Sequence, residues 1–321
     1  CIRDRVYRDL VLGIAEFAQG KLETAEFHYR ESLRRGQEVK GFAAGAALAA
    51  APLAELLYER GCMEDADSEI GPRLEVVTTG VVPETTIQAF VTAARIADRR
   101  GDSARTLGLL ERAESVGLNR GWDRLLAASL FERIRVHLVQ DSHAAAIGLA
   151  RRLQDLRPQR PTLRGVADVA HYACMGSALA SKDPDELREL TVELERMFDE
   201  ASASGSIVLA IRLGSVLAVA YDSYSSRTTA VDVLRKVIEL ARSGGVVSSI
   251  VDAGPQVGGL LDAIAGGTAR HDPFVQRLLR ESKALRVGAR PAAAGPPEPP
   301  VLLTARECDI LELSLIHISE P

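Results

Sequence analysis

The sequence predicts an all-α solenoid of antiparallel helix pairs, with a repeat of about 40 residues. One observation is a regular interruption. Segments of helical period break at Gly20, Gly61, Gly101, Asp141, Lys182 and Tyr221, in steps of 41, 40, 40, 41 and 39. A second is composition. Hydrophobic residues reach 46% while aromatics are only 4%; Ala and Leu make up the difference, which favours close-packed helices over sheets. A third is that three of the breaks are glycines, which accept the left-handed conformation that ends many helices.

In the first unit Leu10, Ile14 and Phe17 recur at helical spacing and define one apolar face before Gly20. A second helix carries Leu22, Ala25, Tyr29 and Leu33 on one stripe. The second unit repeats this with Leu53, Leu56 and Leu57 before Gly61, then Met63, Ala66 and Ile70. Pro52, inside its first helix, predicts a kink or a late start. In the third, Ile96 and Ala97 precede Gly101; Ala104, Leu107, Leu110 and Ala113 follow. Ala25, Ala66 and Thr106 each lie five residues after their turn glycine, where a small side chain lets two helices approach.

The fourth unit turns at Gln140-Asp141-Ser142 and continues through Ala146, Leu149 and Leu153. The fifth turns at 181–184, with Asp183 as N-cap and Pro184 as first helical residue, then Leu187, Leu190, Val192 and Leu194. The sixth turns at 221–223 and continues through Val231, Leu234, Val237 and Leu240. Beyond it, Pro255 suits a helix start, and Asp272 caps a further helix through Phe274, Leu278 and Leu279. Residues 287–302 carry five of the 14 prolines and read as a semi-rigid linker. After it, Thr304 and Glu307 form a capping box ahead of Ile310, Leu311 and Leu313.

The formal net charge of −5 argues against a surface devoted mainly to nucleic acid. No apolar run reaches about 18 residues, so no membrane span is expected. Cys1, Cys62, Cys174 and Cys308 fit neither a disulfide framework nor a zinc site, which suits a reduced, cytoplasmic protein. No phosphate-binding, dinucleotide-binding, zincin or nucleophile-elbow motif occurs, so no catalytic, cofactor or metal residue is assigned and no enzyme is expected. His28, His137, His143, His171, His271 and His317 are scattered. The acidic run Glu64–Glu69 lacks the spacing of a calcium loop and reads as a solvated helix face. Trp122, between Arg120 and Arg124, reads as packing between repeats rather than as a ligand surface.

Two resemblances add to this reading. Leu12-Gly13, Gly20, Ala25 and Tyr29 sit where tetratricopeptide repeats carry their Leu-Gly, turn glycine, small residue and aromatic, although the spacing here exceeds the usual 34 or so. Leu303, Thr304, Arg306, Glu307, Ile310, Leu311 and Leu313 resemble the opening helix of a LuxR-type helix-turn-helix domain. Leu56–Gly61 and Ile250–Pro255 resemble the helical region of large MalT-like (LAL-type) LuxR-family regulators of bacteria. That resemblance implies an ATP-binding NTPase module upstream of Cys1 and a DNA-binding domain at the end. Residues 314–321 depart from the pattern and look like translated sequencing-adapter sequence, so the recognition helix is expected to be missing and the chain to be a fragment.

The expected organisation is therefore a helical-repeat sensor over 1–286, a linker over 287–302, a truncated helix-turn-helix over 303–313 and a foreign tail over 314–321. The expected function is the sensing region of a LuxR-family transcriptional regulator. Its partner would be a small-molecule or protein effector on the concave helical surface, with DNA bound only by the full-length protein. The alternative is a free-standing scaffold for protein–protein interaction. No cofactor is expected within the fragment.

Overall fold

The computed structural model describes residues 2–38, 43–78, 82–156, 164–224, 226–266 and 269–288. The expected helix-turn-helix remnant at 303–313, the tail at 314–321, Cys1, Cys308, His317 and all of the linker beyond Gly288 lie outside them. What is described falls within one compact unit, residues 1–289. It is all-α, with no strand among the described residues.

Six helix pairs follow one another. They are α1 (Ile2–Ala18) with α2 (Leu22–Glu38), and α3 (Ala43–Glu59) with α4 (Met63–Ile70), extended by a 3₁₀ turn and α5 (Leu74–Thr78). Next come α6 (Pro83–Arg99) with α7 (Ser103–Arg120), and α8 (Asp123–Val139) with α9 (His143–Asp155). Then come α10 (Arg164–Ala180) with α11 (Pro184–Ala203), and α12 (Ile207–Tyr224) with α13 (Arg227–Arg242). Short α14 (Ser248–Val251), α15 (Val257–Ala265) and α16 (Pro273–Gly288) complete the unit.

The turns carry the repeat. Gly20, Gly61, Gly101 and Asp141 all have φ between 58° and 76°. Asp141 is the one non-glycine with positive φ among the described residues, and a short polar side chain is what that region tolerates best after glycine. Five residues beyond these turns stand Ala25, Ala66, Thr106 and Ala146, each at most 1% exposed. The close approach is seen at Gly13, where an added Cβ would overlap the ring of buried Tyr29. Asp183 caps α11, accepting from the Asp185 amide at 2.9 Å, with Pro184 first in the helix. Asp272 caps α16, accepting from the Phe274 amide at 2.9 Å.

Several local expectations are corrected. Tyr221 is not a turn: α12 runs through it to Tyr224, and the next helix is capped by Ser226. Ile14 and Val192 face solvent at 47% and 64% exposure, because the buried stripes run through Leu10 and Phe17 in α1 and through Leu190 and Leu194 in α11. Pro52 lies inside α3 without interrupting it. Helix α15 starts at Val257, two residues after Pro255, and α16 continues to Gly288, past the expected boundary at 286. Helix α12 is long and apolar enough to span a membrane by length and composition, although no span is expected from the sequence, but 61% of it is buried inside the protein.

The first helices of the pairs pack on one another in sequence: α3 on α6, α6 on α8, α8 on α10 and α10 on α12. The second helices lie outside them. The row then returns on itself. Helix α12 touches α1, and α14 touches α3, α12 and α16. At this seam Gly244 meets the Gly20 turn so closely that a Cβ on Gly244 would overlap the Gly20 carbonyl. Leu53 and Leu56 in α3, Leu125 in α8 and Leu213 and Leu217 in α12 are fully buried. Each contributes about 2 kcal/mol by removal from water.

Candidate functional site

The faces of the first helices that turn inward carry charge as well as apolar groups. Helical spacing sets each contribution. Glu55 and Glu59 are one turn apart on α3. On α6, Gln88, Val91, Arg95 and Arg99 share a face. On α8 that face carries Phe131, Glu132 and Arg135, on α10 Tyr172 and Met175, and on α12 Arg212 and Val216. The innermost piece is α14 with the turn after it, which supplies Ser248, Ser249 and Asp252.

These groups form one network. Asp252 accepts from Arg99 Nη2 at 2.9 Å and from the Tyr58 hydroxyl at 2.8 Å. Its main-chain carbonyl accepts from Arg135 Nε at 2.8 Å. Arg212 Nη2 donates to Glu55 at 2.7 Å and to Glu59 at 2.9 Å. Glu59, fully buried, also accepts from the Ser249 amide at 2.9 Å and hydroxyl at 2.7 Å. Arg95 grips Glu132 through Nη2 at 2.5 Å and Nε at 3.1 Å, and Arg135 Nη1 donates to Glu132 at 2.5 Å. Four arginines thus face four carboxylates, as burial of charge requires.

The charge states follow. Burial alone would raise the Asp252 and Glu132 carboxyls, but the guanidiniums around them outweigh it and hold both below the ordinary carboxylate range. Asp98, beside the cluster, is pushed up by burial. Burial raises the Tyr172 phenol to about 12. Burial opposes the charge on Arg95, Arg135 and Arg212, yet their acidic neighbours keep all three firmly protonated.

Beside the network lies a cleft with about 550 Å³ of empty space, part of it open to solvent. About 50 Å³ of it is wide enough to take the centre of a water molecule. Arg95, Arg135 and Arg212 line it together with Glu55 and Asp252. Its apolar wall is Ile87, Val91, Phe131, Met175 and Val216.

The two segments singled out in the sequence meet here. Residues 56–61 end α3 and 250–255 follow the start of α14; Tyr58 binds Asp252, and the Glu59 carbonyl accepts from the Val247 amide at 2.7 Å. The repeat-turn residues Gly20, Gly61, Gly101 and Asp141 are in the connections between paired helices and none lines the cleft. Trp122 is half-buried at the start of α8 with Arg120 over its ring at 4.8 Å, also away from the cleft. The acidic run lies on α4, where Asp67 pairs with Arg100 at 2.5 Å. Among the described residues no three His, Cys, Asp or Glu side chains are grouped to hold a metal ion.

Sequence reasoning did not identify the cleft residues. A signal existed. Arg212 is the one charge in the apolar stretch 207–221, and Glu55 and Glu59 are the only charges in α3. A lone charge on a helix apolar all round has to be buried with a partner.

Compared with known proteins, the chain matches the MalT-like TPR region family over residues 6–265. No curated protein is similar enough to be matched.

Proposed function

The chain belongs to the MalT-like TPR region family, and from that premise we propose that it is the effector-sensing helical region of a LuxR-family transcriptional regulator. The family match, which spans all six helix pairs, carries the reading. The cleft supports it, since ligand sites are concave, mostly apolar and furnished with a few convergent polar groups. The effector would bind among the first helices. An NTPase module using ATP would precede this region, and the helix whose beginning resembles residues 303–313 would open a DNA-binding domain.

An interaction scaffold would need an extended concave groove for a partner chain. Here α14 packs against α3 and α12, Asp252 just after it pairs with Arg99 on α6, and the cleft beside them suits a small molecule. The decisive experiment is to sequence the source DNA past the codon for Leu313 and express the complete gene with a reporter for its own upstream region. A turn followed by a second, basic helix, with reporter output dependent on it, is the expected result. A reading frame without that helix refutes the regulator reading.

A further inference from the structure

We infer that the cleft is a site for a short-chain carboxylate, an inference that rests on the sensor reading and names the chemistry of its effector. The argument starts from which hydrogen-bonding capacity is already used. All eight side-chain oxygens of Glu55, Glu59, Glu132 and Asp252 accept a hydrogen bond within the protein. The guanidiniums, with five N–H donors each, are not used up. Among the described residues, Arg95 Nη1 has only Glu59 at 4.0 Å, Arg135 Nη2 only Asp252 at 4.0 Å, and Arg212 Nη1 has no partner within hydrogen-bond distance. None of the three is among the unpartnered atoms sealed from solvent. The cleft therefore keeps free guanidinium donors, while every carboxylate oxygen around it already takes at least one hydrogen bond. A ligand that supplies acceptors and negative charge completes it; a cationic one does not.

Shape narrows the class. Guanidinium forks suit a planar carboxylate. Val91, Phe131 and Val216, one helical turn from Arg95, Arg135 and Arg212, and Met175 offer apolar contact beside the arginines. The room for water centres, about 50 Å³, suits a small ligand rather than a chain segment. A short-chain acid meets this, with its head on the arginines and a short aliphatic body on the apolar wall.

The test uses the full 321-residue chain, with butyrate as probe and isosteric, neutral butyramide as comparison, at ionic strength matched with chloride. Butyrate at a hundredfold excess over its dissociation constant raises Tm by about 5 °C; butyramide leaves it unchanged. Val91→Trp, which fills the cleft from α6, abolishes the shift. Arg212→Lys, which keeps the charge but loses the fork, weakens calorimetric binding about tenfold. The unliganded Tm of each variant shows whether it is folded. Four outcomes overturn the inference: no butyrate shift, equal binding of butyramide, tighter binding of inorganic phosphate, or a butyrate shift that survives in Val91→Trp. Butyramide binding blocked by Val91→Trp would overturn the carboxylate yet leave a sensor cleft. Loss of the regulator reading would come from the gene sequence and the reporter instead.

Discussion

Replacing Asp252 with Asn removes one charge from the centre of the network and almost no volume. Among the described residues Arg99, whose side chain is 4% exposed, then keeps only Glu281 as an acidic partner, at 3.5 Å. Unit charges about 4 Å apart attract by about 4 kcal/mol at an effective dielectric of about 20. Breaking one half of a buried pair costs about 3–5 kcal/mol. The two oxygens of Asp252 serve different donors, Arg99 and Tyr58. The Asn amide nitrogen has to face one of them, and the Tyr58 hydroxyl can rotate to accept from it where a guanidinium cannot. The expected loss is therefore about 3 kcal/mol, a fall in Tm of about 5 °C. The damage should be local at first, because repeats lean mainly on their neighbours. Helices α14 and α16 should become susceptible to proteolysis before α6 to α9. Adding Arg99→Met removes the stranded charge, and the double variant should recover most of the stability. Calorimetry with limited proteolysis reads both effects. A loss below about 1 kcal/mol for the single variant, or a double variant as unstable as the sum of its parts, would refute the argument that the charges hold each other.

Three further predictions concern other parts of the fold. Tyr29→Phe should stabilise the chain by about 1 kcal/mol, since the buried Tyr29 hydroxyl has no hydrogen-bond partner among the described residues; a fall in Tm would show that the hydroxyl is satisfied. Gly244→Ala should cost about 1–3 kcal/mol, because the new methyl meets the Gly20 carbonyl, which is main chain and cannot swing aside; urea titration measures it, and an unchanged midpoint would count against the seam. Acid should destabilise the chain in a particular window. The lowered pKa values of Asp252 and Glu132 contribute stability that is complete above the unfolded-state values near 4 and is lost as pH falls through the folded ones. The raised Asp98 acts in the opposite sense and offsets part of this. Stability of Asp252→Asn should therefore depend less on pH below about 4 than that of the parent.

How much could be read from the sequence differs by level. The repeat was legible because a left-handed turn demands glycine or a short polar residue, and Gly20, Gly61, Gly101 and Asp141 supply it at near-constant spacing. It failed at the sixth pair, where the Tyr221-Asp222-Ser223 run looks like a turn but α12 continues to Tyr224 and Ser226 provides the cap. The site was not legible as a set, because its members come from six elements separated by as many as 194 residues, as Tyr58 and Asp252 are. Periodicity places each residue on a face but does not say which faces meet. What it does give is a constraint on charge. A helix such as α12 is apolar enough to pass for a membrane span, yet carries Arg212 one residue from buried Ile211 and Leu213. Hydropathy averaging treats that arginine as noise. Desolvation makes it the most informative residue of the segment, since a guanidinium there is stable only if carboxylates from elsewhere in the chain converge on it. The same reasoning applied to Glu55 and Glu59 in α3 calls for a cationic partner, which Arg212 supplies at 2.7 and 2.9 Å.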